Sequence, residues 1–157
     1  MLTSGNFGLY SNTYTVSQLA NGTGLIPGRL ENEPNSGNFK QLVFNNTGST
    51  LANNAALSFV AAEASDYSVG LADTDTDASL CVGVNDNAGA AIPDQTYFWM
   101  STKGFVTVNV NAGVAAGALV APSSTGGSLG AAGTTQQTNI QLLEASGGGG
   151  ATSALII

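Results

Sequence analysis

The chain has 157 residues, 43% of them hydrophobic and only 8% charged, and ten acidic and three basic residues give a net charge of −7. This length and hydrophobic content suit one domain with its own core. Three basic residues cannot neutralise a row of phosphates, so we expect no binding to nucleic acid or to anionic membranes. No apolar run approaches the roughly 20 residues that span a membrane, and the N-terminus lacks the features of a signal peptide.

The charged side chains are few, against about 25% in ordinary soluble domains, and they are unevenly placed. None precedes Arg29, and only Glu144 follows Lys103. Because interface cores are depleted of charge, we expect a homo-oligomer with part of the segment between Gly104 and Leu143 at the subunit contacts. The alternative is a surface rich in Ser, Thr and Asn that has no partner.

Residues 1–38 are predicted to form an N-terminal arm or a set of extra strands. Residues 1–28 contain no charged side chain, and several glycines interrupt them. One hypothesis is that apolar side chains of this arm bind a groove on another protein, and the other is that they complete the domain's own β-structure. The candidate contact residues are Leu2, Phe7, Leu9, Tyr10 and Tyr14.

Short runs with strand character, separated by turn residues, predict an all-β sandwich or barrel over residues 39–157. Helix is poorly supported, because the chain contains 21 glycines and abundant Asn, Ser and Thr. The predicted strands, one of them in the arm, are Tyr14–Leu19, Phe39–Asn45, Ala55–Ala62, Ser79–Asn85, Thr96–Thr102, Phe105–Asn111, Ala118–Ala121, Thr138–Glu144 and Thr152–Ile157.

Two of the turns are predicted to close hairpins. Gly104 can supply a positive φ, so Thr96–Thr102 and Phe105–Asn111 are expected to pair with each other. The glycines of Ser146–Gly150 are interpreted as the flexible tip of a C-terminal hairpin, with a linker as the alternative.

A weak internal echo accompanies these hairpins. Val82–Asp86 leads through a loop of small residues to Tyr97–Met100, much as Leu142–Glu144 leads through glycines to Leu155–Ile157. No fixed repeat period is visible.

Groups that carry catalytic chemistry are scarce in this sequence. It has no histidine, the commonest general base, and Cys81 is its only cysteine, so neither a histidine-activated nucleophile nor an intrachain disulfide is available. Cys81 lies in a Val- and Leu-rich run and is predicted to be an unreactive packing residue. We therefore predict that the protein is not an enzyme and has no catalytic residues.

The acidic residues form three groups that merit inspection as sites. Two pairs of carboxylates, Glu31 with Glu33 and Asp86 with Asp94, could in principle supply acid–base catalysis, but nothing in the sequence brings a substrate pocket to them. The remaining group, Asp73, Asp75 and Asp77, is spaced like the start of a calcium-binding loop, whose later ligands are missing. It is interpreted as a solvated loop, with a weak surface calcium site as the alternative. We predict no resident metal and no cofactor.

An ordered set of strand and turn motifs runs through residues 79–157. Its parts are Leu80–Asp86, Tyr97–Met100, Lys103–Val108, Ala115–Ala121, Leu143–Ser146 and Ala154–Ile157. This pattern of hydrophobic and turn residues resembles the small capsid decoration (cement) proteins of tailed phages.

The resemblance implies a compact β-barrel or β-tulip-like domain with an N-terminal extension. It also implies a homotrimer, made in the host cytoplasm, that sits on the outer capsid surface of the virion and bridges subunits of the major capsid protein. The arm residues would then be capsid contacts. The acidity of the chain fits the outside of a shell better than its DNA-lined inside.

A virion fibre or knob that binds a host-surface carbohydrate is the alternative function. In that case Trp99, Tyr97 and Tyr67 would be candidate platforms for stacking on sugar rings. The competing interpretation of Trp99 is a core residue.

Overall fold

The computed structural model describes residues 12–21, 24–34, 36–60, 67–74, 81–86, 91–133 and 138–157. These residues form eleven strands and one short helix, which confirms the all-β prediction. The elements are β1 (Tyr14–Thr15), α1 (Val16–Ala20), β2 (Leu30–Asn32), β3 (Phe39–Asn45), β4 (Ala56–Phe59), β5 (Ser68–Leu71), β6 (Gly83–Val84), β7 (Thr96–Val110), β8 (Leu119–Pro122), β9 (Leu129–Ala131), β10 (Ile140–Leu142) and β11 (Gly150–Ile156).

The predicted hairpin around Gly104 is wrong, because Thr96–Val110 is one continuous strand of 15 residues. Gly104 does have a positive φ of 103°, but the chain does not turn there. The absence of a side chain instead lets Asn38 approach the Gly104 backbone closely. A Cβ there would lie 2.1 Å from Oδ1 of Asn38. Asn38 in turn accepts a hydrogen bond from the Phe105 amide and donates one to the Phe105 carbonyl, at 2.8 and 3.0 Å.

At Gly104 the long strand β7 passes from one set of partners to another. Its first half pairs with β3, and its second half, from Gly104 to Val110, pairs with β11. Starting from the second half, successive strand pairings run from β7 to β11, β10, β8 and β9 and then back to β7. They close a five-stranded barrel, here called the C-terminal ring. Starting from the first half, successive pairings run from β7 to β3, β5, β4 and β6 and then back to β7, and this cycle is called the N-terminal ring.

The two rings have the same connectivity. Taken in chain order, β3 to β7 and β7 to β11 make the same five pairings, and in each ring the only parallel pair joins the first strand to the third. The third strands also match in sequence, because Ser68–Ala72 and Ser128–Ala132 share Ser, Gly and Ala at their first, third and fifth positions. The echo seen in the sequence falls on the last two strands of each ring.

Each ring has its own cluster of buried side chains. Val43, Leu57, Val69, Phe98 and Met100 fill the N-terminal ring. The C-terminal ring is filled mainly by β-branched residues and leucines, which are Val106, Val108, Val110, Val120, Leu129, Ile140, Leu142 and Ile156. The second cluster also includes Ala56, Ala72, Cys81 and Val84, which lie on or beside strands of the N-terminal ring, so the two rings share this part of the core.

The start of the chain departs from its prediction of a strand over Tyr14–Leu19. Only Tyr14 and Thr15 are extended, and they pair with β7. Thr15 then caps α1, since its hydroxyl accepts a hydrogen bond from the Gln18 amide and the Gln18 side chain accepts one from the Thr15 amide. This capping box overrides the strand propensity of Val16. The sequence also missed β2, β5 and β9, which have only three or four residues each.

The C-terminal hairpin is formed as predicted, since β10 and β11 pair antiparallel across residues 143–149. One residue of the glycine-rich connection is anchored. Ser146 is buried, and its hydroxyl accepts a hydrogen bond from the Val114 amide and donates one to the Asn111 carbonyl.

Candidate functional site

An uncharged row of side chains crosses the outer face of the C-terminal ring. The register of the strands places Phe105 beside Leu155, Leu155 beside Gln141 and Gln141 beside Leu119, on β7, β11, β10 and β8. Phe105 is 61% exposed and Leu119 is 47% exposed, while the two between them are half-buried. Strands lie about 4.8 Å apart, so the row is roughly 14 Å wide.

At the Phe105 end this row opens into a groove of about 410 Å³ that crosses β7 and β11. The groove is lined by Asp86, Phe105, Val106, Thr107, Leu143, Glu144, Ser153 and Ala154. Asp86 follows β6 on one side, and Glu144 follows β10 on the other. Because β6 and β10 are the fourth strands of their rings, equivalent positions of the two rings supply the two carboxylates.

The Asp86 carboxylate lies in a partly buried, electrostatically mixed environment. Burial raises its pKa, and neighbouring Glu33 raises it further, whereas Lys40 and a hydrogen bond from the Thr107 amide lower it. Lys40 is only 4% exposed, and its ammonium group lies 3.5 Å from the Asp86 carbonyl oxygen. Desolvation is the largest of these effects and disfavours the charged form of Asp86. A cation that arrives at the groove would lower the pKa of Asp86 and favour its charged form.

The equivalent face of the N-terminal ring, on β3 and β7, is covered by the chain itself. There Leu42 and Trp99 are cross-strand neighbours and are fully buried. Tyr14, Leu19 and Leu25 pack over them, so the described residues 14–21 and 24–25, together called segment 14–25, form the cover. Leu19 and Leu25 keep apolar surface away from water, which is why this short segment can order against the sheet.

The predicted contact residues of the arm divide between two parts of the chain. Tyr14 lies in β1 and belongs to the cover over Trp99. The other candidates, Leu2, Phe7, Leu9 and Tyr10, lie outside the described residues. The proposed boundary at residue 38 falls between β2 and β3, which pair with each other.

The aromatic residues considered for sugar stacking are engaged within the fold. Trp99 is fully buried, so its ring cannot stack on a ligand at the surface. Tyr97 lies against Phe44 with ring centroids 4.8 Å apart. The half-buried ring of Tyr67 lies against Gly28, where an added Cβ would approach it to 2.0 Å.

Cys81 is buried within the core shared by the two rings. Desolvation raises the pKa of its thiol to about 11, and the thiol donates a hydrogen bond to the Gly83 carbonyl at 3.2 Å. A neutral, buried thiol of this kind packs as a small hydrophobic group.

Two of the other acidic candidates have partners of their own in the part of the chain that the structure describes. Glu31 pairs with Arg29, and Asp94 accepts a hydrogen bond from the Gly48 amide. Asp75 and Asp77 of the possible calcium loop lie outside the described residues. Among the residues that the structure describes, no group of three potential metal ligands is found. Within the same ranges, no helix has the length and apolar character to cross a membrane.

The groove was missed at the level of sequence. Phe105, Thr107, Leu143 and Glu144 lie on two predicted strands, and Asp86 follows a third, with no motif linking them. The available signal was the echo, since it aligns Val82–Asp86 with the run that ends at Glu144.

Comparison with known proteins adds no relative: no family model, no curated protein and no solved structure matches this chain. The likeness to capsid decoration proteins therefore rests on the sequence motifs alone.

Proposed function

We propose that this protein is a structural component of a phage particle that decorates the outer capsid surface and stabilises the shell by bridging major capsid subunits. The observation that carries the proposal is the uncharged row on the C-terminal ring, where Phe105 and Leu119 are exposed. Burying such side chains against another protein contributes about 25 cal/mol per Å² of apolar surface. The homotrimer is part of the same proposal and rests on the resemblance.

A row of this width suits contacts between proteins better than it suits binding of a carbohydrate. The aromatic residues considered for stacking on sugars are engaged within the fold, since Trp99 is buried, Tyr97 lies against Phe44 and Tyr67 lies against Gly28. The fibre or knob alternative therefore has no specific support in the described residues. Many copies on one particle would share the load, so each copy needs only a modest affinity for the shell.

The proposal is tested on particles stripped of this protein and then reconstituted with it. Added wild-type protein is expected to raise the temperature at which the particles release DNA, measured with a fluorescent DNA dye. The double variant Phe105→Ser/Leu119→Ser replaces the two most exposed apolar side chains of the uncharged row. It is therefore expected to bind particles at least tenfold more weakly. The matched control is Leu30→Ser, since Leu30 is 57% exposed on β2.

Identical DNA-release curves with and without wild-type protein would contradict the decoration role. Light scattering of the free protein at micromolar concentration tests the oligomer. A strict monomer both in solution and on the particle would contradict the trimer.

A further inference from the structure

The groove between Asp86 and Glu144 joins apolar side chains to carboxylates. Phe105 and Leu143 are 61% and 43% exposed at this site, although both are large apolar residues. Acidic residues lie on both sides of them. The combination offers an apolar surface and a negative charge to the same ligand.

The N-terminal ring shows what such a face can hold. Its equivalent pair of strands carries the segment 14–25, which lays Tyr14, Leu19 and Leu25 over Trp99. On the C-terminal ring none of the described residues takes this place over Phe105, which stays exposed. A short segment of chain that brings apolar side chains, in the N-terminal ring a two-residue strand and a helix, is thus the kind of occupant this fold accommodates.

The carboxylates specify the charge of that occupant. Asp86 is desolvated and is influenced by a second acid, Glu33, while Lys40, the cation that acts on its carboxylate, is buried. Glu144 is exposed at the other side. An incoming cation would be attracted to both sides, and a carboxylate would be repelled.

A second copy of the chain fits this requirement poorly. Of its three basic residues, Arg29 pairs with Glu31, Lys40 is buried, and Lys103 alone is exposed without either constraint. Two copies also carry seven net negative charges each. Charge complementarity therefore favours a different protein.

We propose that the groove binds a short segment of a partner protein in which a lysine or arginine is flanked by apolar side chains. On the function proposed above, on which this inference rests, that segment belongs to the capsid subunit. The apolar side chains pack on Phe105 and Leu143, and the basic group lies between the two carboxylates.

The first experiment uses two capped ten-residue peptides with the same leucines and serines, one with three lysines and one with three glutamates. Both are titrated into the isotopically labelled full-length protein and followed by NMR. The lysine peptide is expected to shift the amides of Phe105, Thr107, Leu143 and Glu144, and to bind several-fold more weakly in 0.5 M than in 0.05 M salt. Equal binding of both peptides, or no binding of either at millimolar concentration, overturns the proposal.

The second experiment changes the charge of the groove and keeps its shape. Asp86→Asn/Glu144→Gln is expected to weaken binding of the lysine peptide at least fivefold. An asparagine at 86 still accepts the Thr107 hydrogen bond and removes a desolvated charge, although buried Lys40 loses a counter-charge, so circular dichroism is used to establish that the variant is folded. Asp94→Asn, which keeps the acceptor for the Gly48 amide, is the matched control and should bind like wild type. Unchanged binding by the folded double variant overturns the proposal.

Particle binding separates this inference from the proposed function. If wild-type protein binds stripped particles but the double variant binds equally well at every salt concentration, the groove proposal fails and the decoration role stands. If the lysine peptide binds the groove but wild-type protein does not bind particles, the decoration role fails and the peptide chemistry stands.

Discussion

The N-terminal and C-terminal rings share one connectivity and one strand, yet they treat their outer faces differently. On the N-terminal ring, Leu42 and Trp99 are sealed by the segment 14–25. On the C-terminal ring, the equivalent strands leave Phe105 and Leu155 at the surface, the first of them 61% exposed. A face that the chain covers contributes to folding, whereas a face left open leaves apolar surface exposed, which is the basis of the binding proposed for it.

Apolar and acidic side chains occupy different parts of the open face on the C-terminal ring. The outer row of the C-terminal ring is uncharged, and the acids Asp86 and Glu144 are confined to the sides of the groove. Interfaces between proteins often combine an apolar centre with a polar rim, so this distribution supports the proposed binding role. The comparison of the rings thus separates residues that hold the fold from residues available for binding.

The largest expected effect comes from truncating one aromatic residue on each face. Trp99→Ala removes a fully buried side chain, so we expect it to lower the free energy of unfolding by about 3–5 kcal/mol. Phe105→Ala removes a mostly exposed one and is expected to cost less than about 1 kcal/mol. Urea unfolding followed by circular dichroism measures both. Similar losses for the two variants would show that the faces do not differ in this way.

A smaller effect is expected at the junction of the rings. In Gly104→Ala the new methyl group meets Asn38 in a backbone conformation with positive φ, so we expect a loss of roughly 2–4 kcal/mol. Gly113→Ala is the control, because Gly113 also has a positive φ but nothing lies within 4 Å of an added Cβ. That variant should lose only about 1–2 kcal/mol. If both lose the same amount in thermal unfolding, the contact with Asn38 is not what requires glycine.

The smallest effect concerns pH and the core shared by the rings. Because the folded protein raises the Cys81 thiol pKa from 9.0 to about 11, it holds this proton more tightly than the unfolded chain does. The resulting stability is fully present below pH 9 and is lost as the pH rises toward 11, by an amount on the order of 2 kcal/mol. Urea unfolding of wild type and Cys81→Ala between pH 8 and 10.5 isolates this thiol from other alkaline groups. Parallel curves for the two proteins would contradict the prediction.

Much of the strand content could be predicted from local patterns. The bounds of Phe39–Asn45 agree with the prediction to the residue, and Val106, Val108 and Val110 face the core as their spacing requires. The prediction failed at Gly104, since a glycine with positive φ has the same appearance in sequence whether it turns the chain or admits Asn38. Of the two roles considered for Trp99, a core residue or a platform for sugar stacking, its complete burial confirms the first.

The sequence by itself determined an acidic, charge-poor, all-β chain whose hydrophobic residues recur at strand spacing. Those properties are local, because the alternation of side chains along a strand depends only on the backbone geometry. Only the tertiary structure decided that one strand would serve two rings, that segment 14–25 would cover one face, and that Asp86 and Glu144 would flank the other. Such juxtapositions depend on pairings between residues far apart in the chain, and periodicity carries no information about which strands will pair.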